Sequence, residues 1–154
     1  MNKEQRIQRA RELFLQGYNC SQSVFCAYAE DYDIPMETAL RLSASFGGGI
    51  GRMRETCGAV CGMTMLIGME TGQTESNDSK QKQENYHAVQ SLAEQFRQKN
   101  GSIKCSELLQ LRKESTITSV PEERTAEYYR QRPCLKMVES AVELFEQFKA
   151  NMTN

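Results

Sequence analysis

The sequence predicts an all-α fold, a helical bundle of about six helices packed around one buried central helix. Three observations predict it. Ala, Leu, Glu, Gln, Lys, Arg and Met are plentiful, while Pro occurs only 3 times and Trp not at all. The plentiful types keep most of their rotamer freedom in a helix. Apolar residues recur at helical spacing in segment after segment. One stretch, Ser115 to Val120, alternates like a strand, but nothing else in the chain offers it a partner. It reads as an extended connector ended by Pro121.

The elements follow in order. Lys3 to Gln16 places Ile7, Ala10, Leu13 and Phe14 on one face, and Gly17 is a natural C-terminal stop. Asn19 and Ser21 are both good N-caps for a second helix running to about Asp31. Pro35 suits the first turn of a third helix carrying Ala39, Leu40, Leu42 and Ala44. The run Phe46-Gly47-Gly48-Gly49-Ile50-Gly51 breaks it, since each glycine costs a helix about 1 kcal/mol.

Helix resumes over Glu55 to Thr71, and between Ala59 and Met69 it is apolar nearly all round, the mark of a central buried helix. Gly58 and Gly62, one turn apart, allow another backbone to come close. Gly72 to Ser79 reads as polar loop. Lys80 to Asn100 is a long amphipathic helix with Tyr86, Val89, Leu92, Ala93 and Phe96 on one side, closed by Gly101. A short helix covers Lys104 to Leu111, and Glu122 to Arg130 offers another turn or two. Pro133-Cys134 opens the last helix, with Leu135, Val138, Ala141, Val142, Phe145 and Phe148 facing inward.

No repeat, low-complexity tract or domain boundary interrupts residues 1–154, which read as a single helical domain. With 19 basic and 20 acidic side chains, the net charge of −1 gives no electrostatic footprint for nucleic acid. The start, Met1 to Arg6, lacks the apolar run of a secretory signal. The apolar stretch Ala59 to Met69 is too short to span a bilayer, which takes about 20 residues. No membrane insertion is expected, and the expected compartment is the cytoplasm. The apolar faces would also support a homodimer.

Six cysteines in a reducing compartment call for an explanation. Cys20, Cys57, Cys105 and Cys134 each fall at, or within a turn of, a predicted helix N-terminus. Free N–H groups and the helix dipole favour negative charge there, which pushes a thiol towards thiolate. Arg52 and Arg54 before Cys57, Lys104 beside Cys105 and Arg132 beside Cys134 act in the same direction. Cys57, with its two arginines, is the leading redox thiol. Cys26, among Val24, Phe25 and Ala27, reads as packing. Cys61, one turn beyond Cys57, reads as a buried, inert thiol.

The runs Asn19-Cys20-Ser21-Gln22-Ser23-Val24, Phe46-Gly47-Gly48-Gly49 and Cys57-Gly58-Ala59-Val60-Cys61-Gly62, with single cysteines at 105 and 134, resemble the C_GCAxxG_C_C family, described as redox-active. Its C-G-A-x-x-G motif and four cysteines fall on Cys57 with Cys20, Cys105 and Cys134, and the resemblance spans Cys20 to Cys134. The family is similar to a domain of split-Soret cytochromes, where four cysteines suggest an iron–sulfur site. The resemblance therefore implies an electron-transfer role and a redox partner protein. The chain has no C-x-x-C-H haem attachment motif.

Two chemistries fit these residues. Four thiolates on Cys20, Cys57, Cys105 and Cys134 would complete an iron–sulfur cluster, [2Fe–2S] or [4Fe–4S], or another soft metal site. Against that, zinc folds usually bring ligands in close C-x₂₋₄-C pairs, which this quartet lacks. The alternative is dithiol–disulfide exchange without metal. Cys20 with Cys57 and Cys105 with Cys134 is one of the three pairings four cysteines allow. A non-redox helical interaction protein that uses its cysteines only in packing is the blandest reading.

Gly48, Gly49 and Gly51 before Arg52 form a weak candidate for an anion-binding loop, with no strand before it and no Lys-Ser/Thr after it. His87, the only histidine, reads as a solvated helix residue, and Met63, Met65 and Met69 as flexible core filler. The charges of Lys80 to Glu84 and of Glu122 to Arg124 read as solvated faces.

Overall fold

Two asparagines start the first two helices. In the computed structural model, which describes residues 1–110 and 117–153, Asn2 and Asn19 each accept a backbone N–H three residues on. The glutamine there, Gln5 or Gln22, reaches back to the asparagine's own N–H. Each capping box satisfies donors that a helix start leaves free. Asn19 does more, since its amide also donates to the Ala44 carbonyl at 3.0 Å.

The chain order is α1 (Lys3–Leu15), α2 (Cys20–Cys26), α3 (Met36–Ala44), α4 (Gly58–Thr71), α5 (Ser79–Asn100), α6 (Cys105–Leu108), α7 (Ala126–Gln131) and α8 (Cys134–Met152). Among the described residues these are eight helices where about six were expected, the short α6 and α7 adding to the count. The fold is all-α. Among the described residues β pairing is limited to one isolated antiparallel bridge, Thr56 with Lys104.

The central helix is α4, which touches α2, α5 and α8. Its first turns, Gly58 to Met63, are buried without interruption. Leu66 and Ile67 continue the buried face, while Met69 emerges to solvent. The close approach expected at Gly58 and Gly62 is to α2. A Cβ on Gly62 would stand 2.9 Å from both the Ser21 carbonyl oxygen and Val24 Cβ. One on Gly58 would stand 3.0 Å from the Phe46 carbonyl oxygen and 3.3 Å from Cys20 Cβ. α8 closes the core with Met137, Val138, Ala141, Val142 and Phe145.

Several boundaries differ from expectation. α2 ends at Cys26 rather than near Asp31, because the ladder tightens into 3-10 bonds. The Tyr28 N–H reaches the Phe25 carbonyl at 3.1 Å, and a 3-10 turn follows over Ala29–Tyr32. The central helix starts at Gly58 rather than Glu55, because the backbone of Glu55 and Thr56 pairs with Lys104 and Cys105 instead. On α5 the buried line is Ala88, Leu92 and Phe96, and Tyr86 is exposed. His87 is exposed as expected. The ends of two predicted segments, Leu111 and Ser115-Thr116, lie outside the described residues; 117–121 are neither helix nor strand.

Gly62→Val tests the α2–α4 contact. Its side chain meets backbone and a β-branched neighbour, so overpacking should cost about 1–3 kcal/mol. Urea denaturation followed by circular dichroism measures it. A midpoint equal to that of the unsubstituted protein would show that the helices are not in close contact there.

A cavity lined by four cysteines

The four singled-out cysteines occupy equivalent places. Cys20, Cys105 and Cys134 are the first residues of α2, α6 and α8, and Cys57 immediately precedes α4. All four line one cavity of about 320 Å³. None is in a disulfide. Cys57 and Cys105 are buried, whereas Cys20 and Cys134 are part-exposed. Cys26 and Cys61 are not among the residues lining the cavity. Cys26 lies 3.7 Å from the Ser43 hydroxyl, and the Cys61 thiol points at the Thr56 carbonyl at 3.8 Å.

Backbone pairing holds the inner two in place. The Cys57 N–H donates to the Ile103 carbonyl at 2.7 Å, and the Cys105 N–H donates to the Glu55 carbonyl at 2.6 Å. These bonds flank the Thr56–Lys104 bridge, so the starts of α4 and α6 are fastened side by side. The glycine loop then packs on Cys105, where a Cβ at Gly49 would be 2.6 Å from Cys105 Cβ.

That loop has an uncommon backbone. Gly48, Gly49, Ile50, Gly51 and Arg52 all have positive φ, between 57° and 76°, and Arg54 follows at 63°. For residues with a Cβ, such a conformation costs about 1–2 kcal/mol each. Internal hydrogen bonds hold it, among them Arg54 N–H to Gly48 O at 3.2 Å and Glu55 N–H to Gly49 O at 2.9 Å. Gly48, Gly49 and Gly51 do line the cavity, as does Arg52. The conformation aims Arg54 inward, where its guanidinium lies 3.7 Å from Cys105 Sγ.

Arg124 completes the wall and corrects one expectation. It belongs to a charged run that reads as solvated, yet it is part-buried, donating to the Phe14 carbonyl at 3.0 Å and the Tyr18 carbonyl at 2.9 Å. Its guanidinium sits 4.4 Å above the Phe14 ring. Cation–π contact explains its position, and nothing in the local sequence signals it.

The thiols are not equally acidic. The expectation that Cys57 is the most thiolate-like is reversed, because burial pushes it up to about 12 despite backbone N–H groups of Val60 and Ala59 that favour its charge. Burial also raises Cys105, against the hydrogen bond from Arg54. A helix dipole supplies about 0.3–1 kcal/mol, less than one pKa unit, whereas burial can shift a group by up to about 3–5 units. Burial wins at both. Cys134 alone goes down, to about 7, because the Cys20 thiol shares its proton with it and Arg132, Arg124 and Arg54 favour its charge. Cys20 is correspondingly raised, as the partner that keeps the proton. Cys20 and Cys134 thus act on each other's charge, one of the three pairings that the sequence leaves open.

An iron–sulfur site would suit this donor set in chemistry, since soft thiolates are its ligands. Placement does not match a coordinated ion: among the described residues, no three His, Cys, Asp or Glu side chains are grouped to hold one. No described helix is long and apolar enough to cross a membrane.

Two predictions follow from this geometry. Gly49→Ala combines positive φ with contacts of 2.6 Å to Cys105 Cβ and 2.7 Å to the Glu55 nitrogen, whereas a Cβ at Gly51 meets open space. Gly51→Ala should cost about 1–2 kcal/mol and Gly49→Ala clearly more, with equal losses in thermal unfolding counting against the packing. Iodoacetamide labelling read by mass spectrometry should modify Cys134 with a rate that climbs as pH rises through about 7 and then levels. The groups facing it are Cys20, Cys57, Cys105, Tyr128, Arg54, Arg124 and Arg132. A rate still climbing beyond pH about 9, as for an ordinary thiol, would show that neither the Cys20 thiol nor the arginines act on it.

A family model described as "Putative redox-active protein (C_GCAxxG_C_C)" matches residues 18–148. Neither a curated protein nor a solved structure matches the chain.

Proposed function

We propose that the chain, which belongs to the C_GCAxxG_C_C family, works by thiol–disulfide exchange, with Cys134 as the attacking thiol and Cys20 as the resolving thiol. The observation that carries this reading is that these two part-exposed cysteines, the first residues of α2 and α8, line one cavity. Attack needs a thiolate, and Cys134 holds one near neutrality beside three arginines.

Cys134 Sγ forms a bond to one sulfur of a substrate disulfide, whose S–S bond breaks and releases a thiolate. Cys20 Sγ then attacks Cys134 Sγ, passing its proton to the second departing sulfur. The substrate gains two electrons and the cysteine pair loses them. An external dithiol restores the pair by the same exchange in reverse. In this reading Cys57 and Cys105 stay protonated and shape the cavity.

A second reading is an iron–sulfur cluster on Cys20, Cys57, Cys105 and Cys134, serving electron transfer to a partner protein. One observation favours it: all four thiols reach the same cavity, and exchange needs only two.

Protein purified without oxygen decides between them. Exchange predicts no stoichiometric iron or acid-labile sulfide, and reversible loss of two thiols on mild oxidation. Cys20→Ser and Cys134→Ser should each abolish that loss, while Cys26→Ser keeps it. Stoichiometric iron and sulfide, lost equally in Cys57→Ser and Cys105→Ser, would replace exchange by the cluster.

A further inference from the structure

The cavity is cationic in a chain that is not. Among the described residues Arg52, Arg54, Arg124 and Arg132 line it, against a single carboxylate, Glu122, while the whole chain carries a net charge of −1. Glu122 is already engaged by Arg132 and lies 3.8 Å from Arg52. Arg54 and Arg124 have no carboxylate partner among the described residues; Arg124 is held by carbonyls, and Arg54 by Cys105 Sγ alone. Among the described lining residues three positive charges thus remain beyond the one that Glu122 balances. Low-dielectric walls of Leu108, Leu109, Pro121 and Met137 strengthen the attraction for an anion.

Resting on the exchange reading above, we propose that the substrate is a small disulfide carrying carboxylates, bound with a carboxylate on Arg54 and its S–S bond at Cys134. Arg54 and Cys134 line the same cavity, so a carboxylate close to the disulfide can meet a guanidinium while the S–S bond meets Cys134. Guanidinium forks suit a planar carboxylate. The cavity of about 320 Å³ admits a small molecule, since ligand sites run from about 300 Å³ upward.

The test is single-turnover oxidation of the reduced full-length protein by three small disulfides: dithiodiglycolate (anionic), hydroxyethyl disulfide (neutral) and cystamine (cationic). Each rate is divided by that disulfide's rate with free cysteine, which removes intrinsic reactivity. Dithiodiglycolate should lead the other two by at least about tenfold at low salt, and the lead should shrink as salt is added. Arg54→Gln should cut the preference severalfold, and Arg54→Lys should keep most of it. Arg52→Gln, at the rim, reports the same preference should Arg54→Gln not fold. Equal normalised rates, or a lead for cystamine, overturn the proposal while leaving exchange intact. No oxidation by any of the three overturns the exchange reading, and this one with it.

Discussion

The site depends on a single stretch of backbone pairing, the bridge between Thr56 and Lys104 with its flanking bonds. Helix starts carry unpaired N–H groups, and buried ones need partners. Here the start of α4 and the start of α6 satisfy each other, Cys57 to Ile103 and Cys105 to Glu55. That reciprocity brings together two cysteines far apart in sequence. It also fixes the end of the glycine loop, so Gly49 can lie on Cys105 and Arg54 can turn inward. Without the pairing, α6 is too short to hold a position of its own.

Similar positions in helices give the four thiols very different chemistry. Each stands at a helix start, yet only Cys134 is driven towards thiolate. The difference lies in burial and in which arginines arrive from elsewhere in the chain. Cys57 is enclosed at the head of the central helix, where Gly58 and Gly62 draw α2 close. Cys134 lies at the rim, where Arg54, Arg124 and Arg132 meet from three segments. The inner pair is built for enclosure and the outer pair for access.

Much of this was legible in the sequence. Asn19 reads as an N-cap and so places Cys20 at a helix start, and the apolar run after Ala59 marks the central helix. The tight spacing at Gly58 and Gly62 is likewise written in two glycines one turn apart. What was not legible depends on distant contacts. Arg124 looks like part of a solvated run until Phe14 and Tyr18 are seen beneath it. The order of thiol acidities turns on desolvation, which neighbours in sequence do not report. For the same reason Cys57, flanked by Arg52 and Arg54, looks activated although burial raises it.

The glycine loop has a stereochemical consequence. From Gly48 to Arg52 the chain runs through five consecutive residues of positive φ, the region that ordinary chirality disfavours. For that stretch the comfortable building blocks would be mirror-image ones. In a protein assembled by chemical ligation, d-isoleucine at 50 and d-arginine at 52 would relieve the backbone where their natural counterparts strain it. The handedness of two residues is thus part of what strains the loop whose glycines line the cavity.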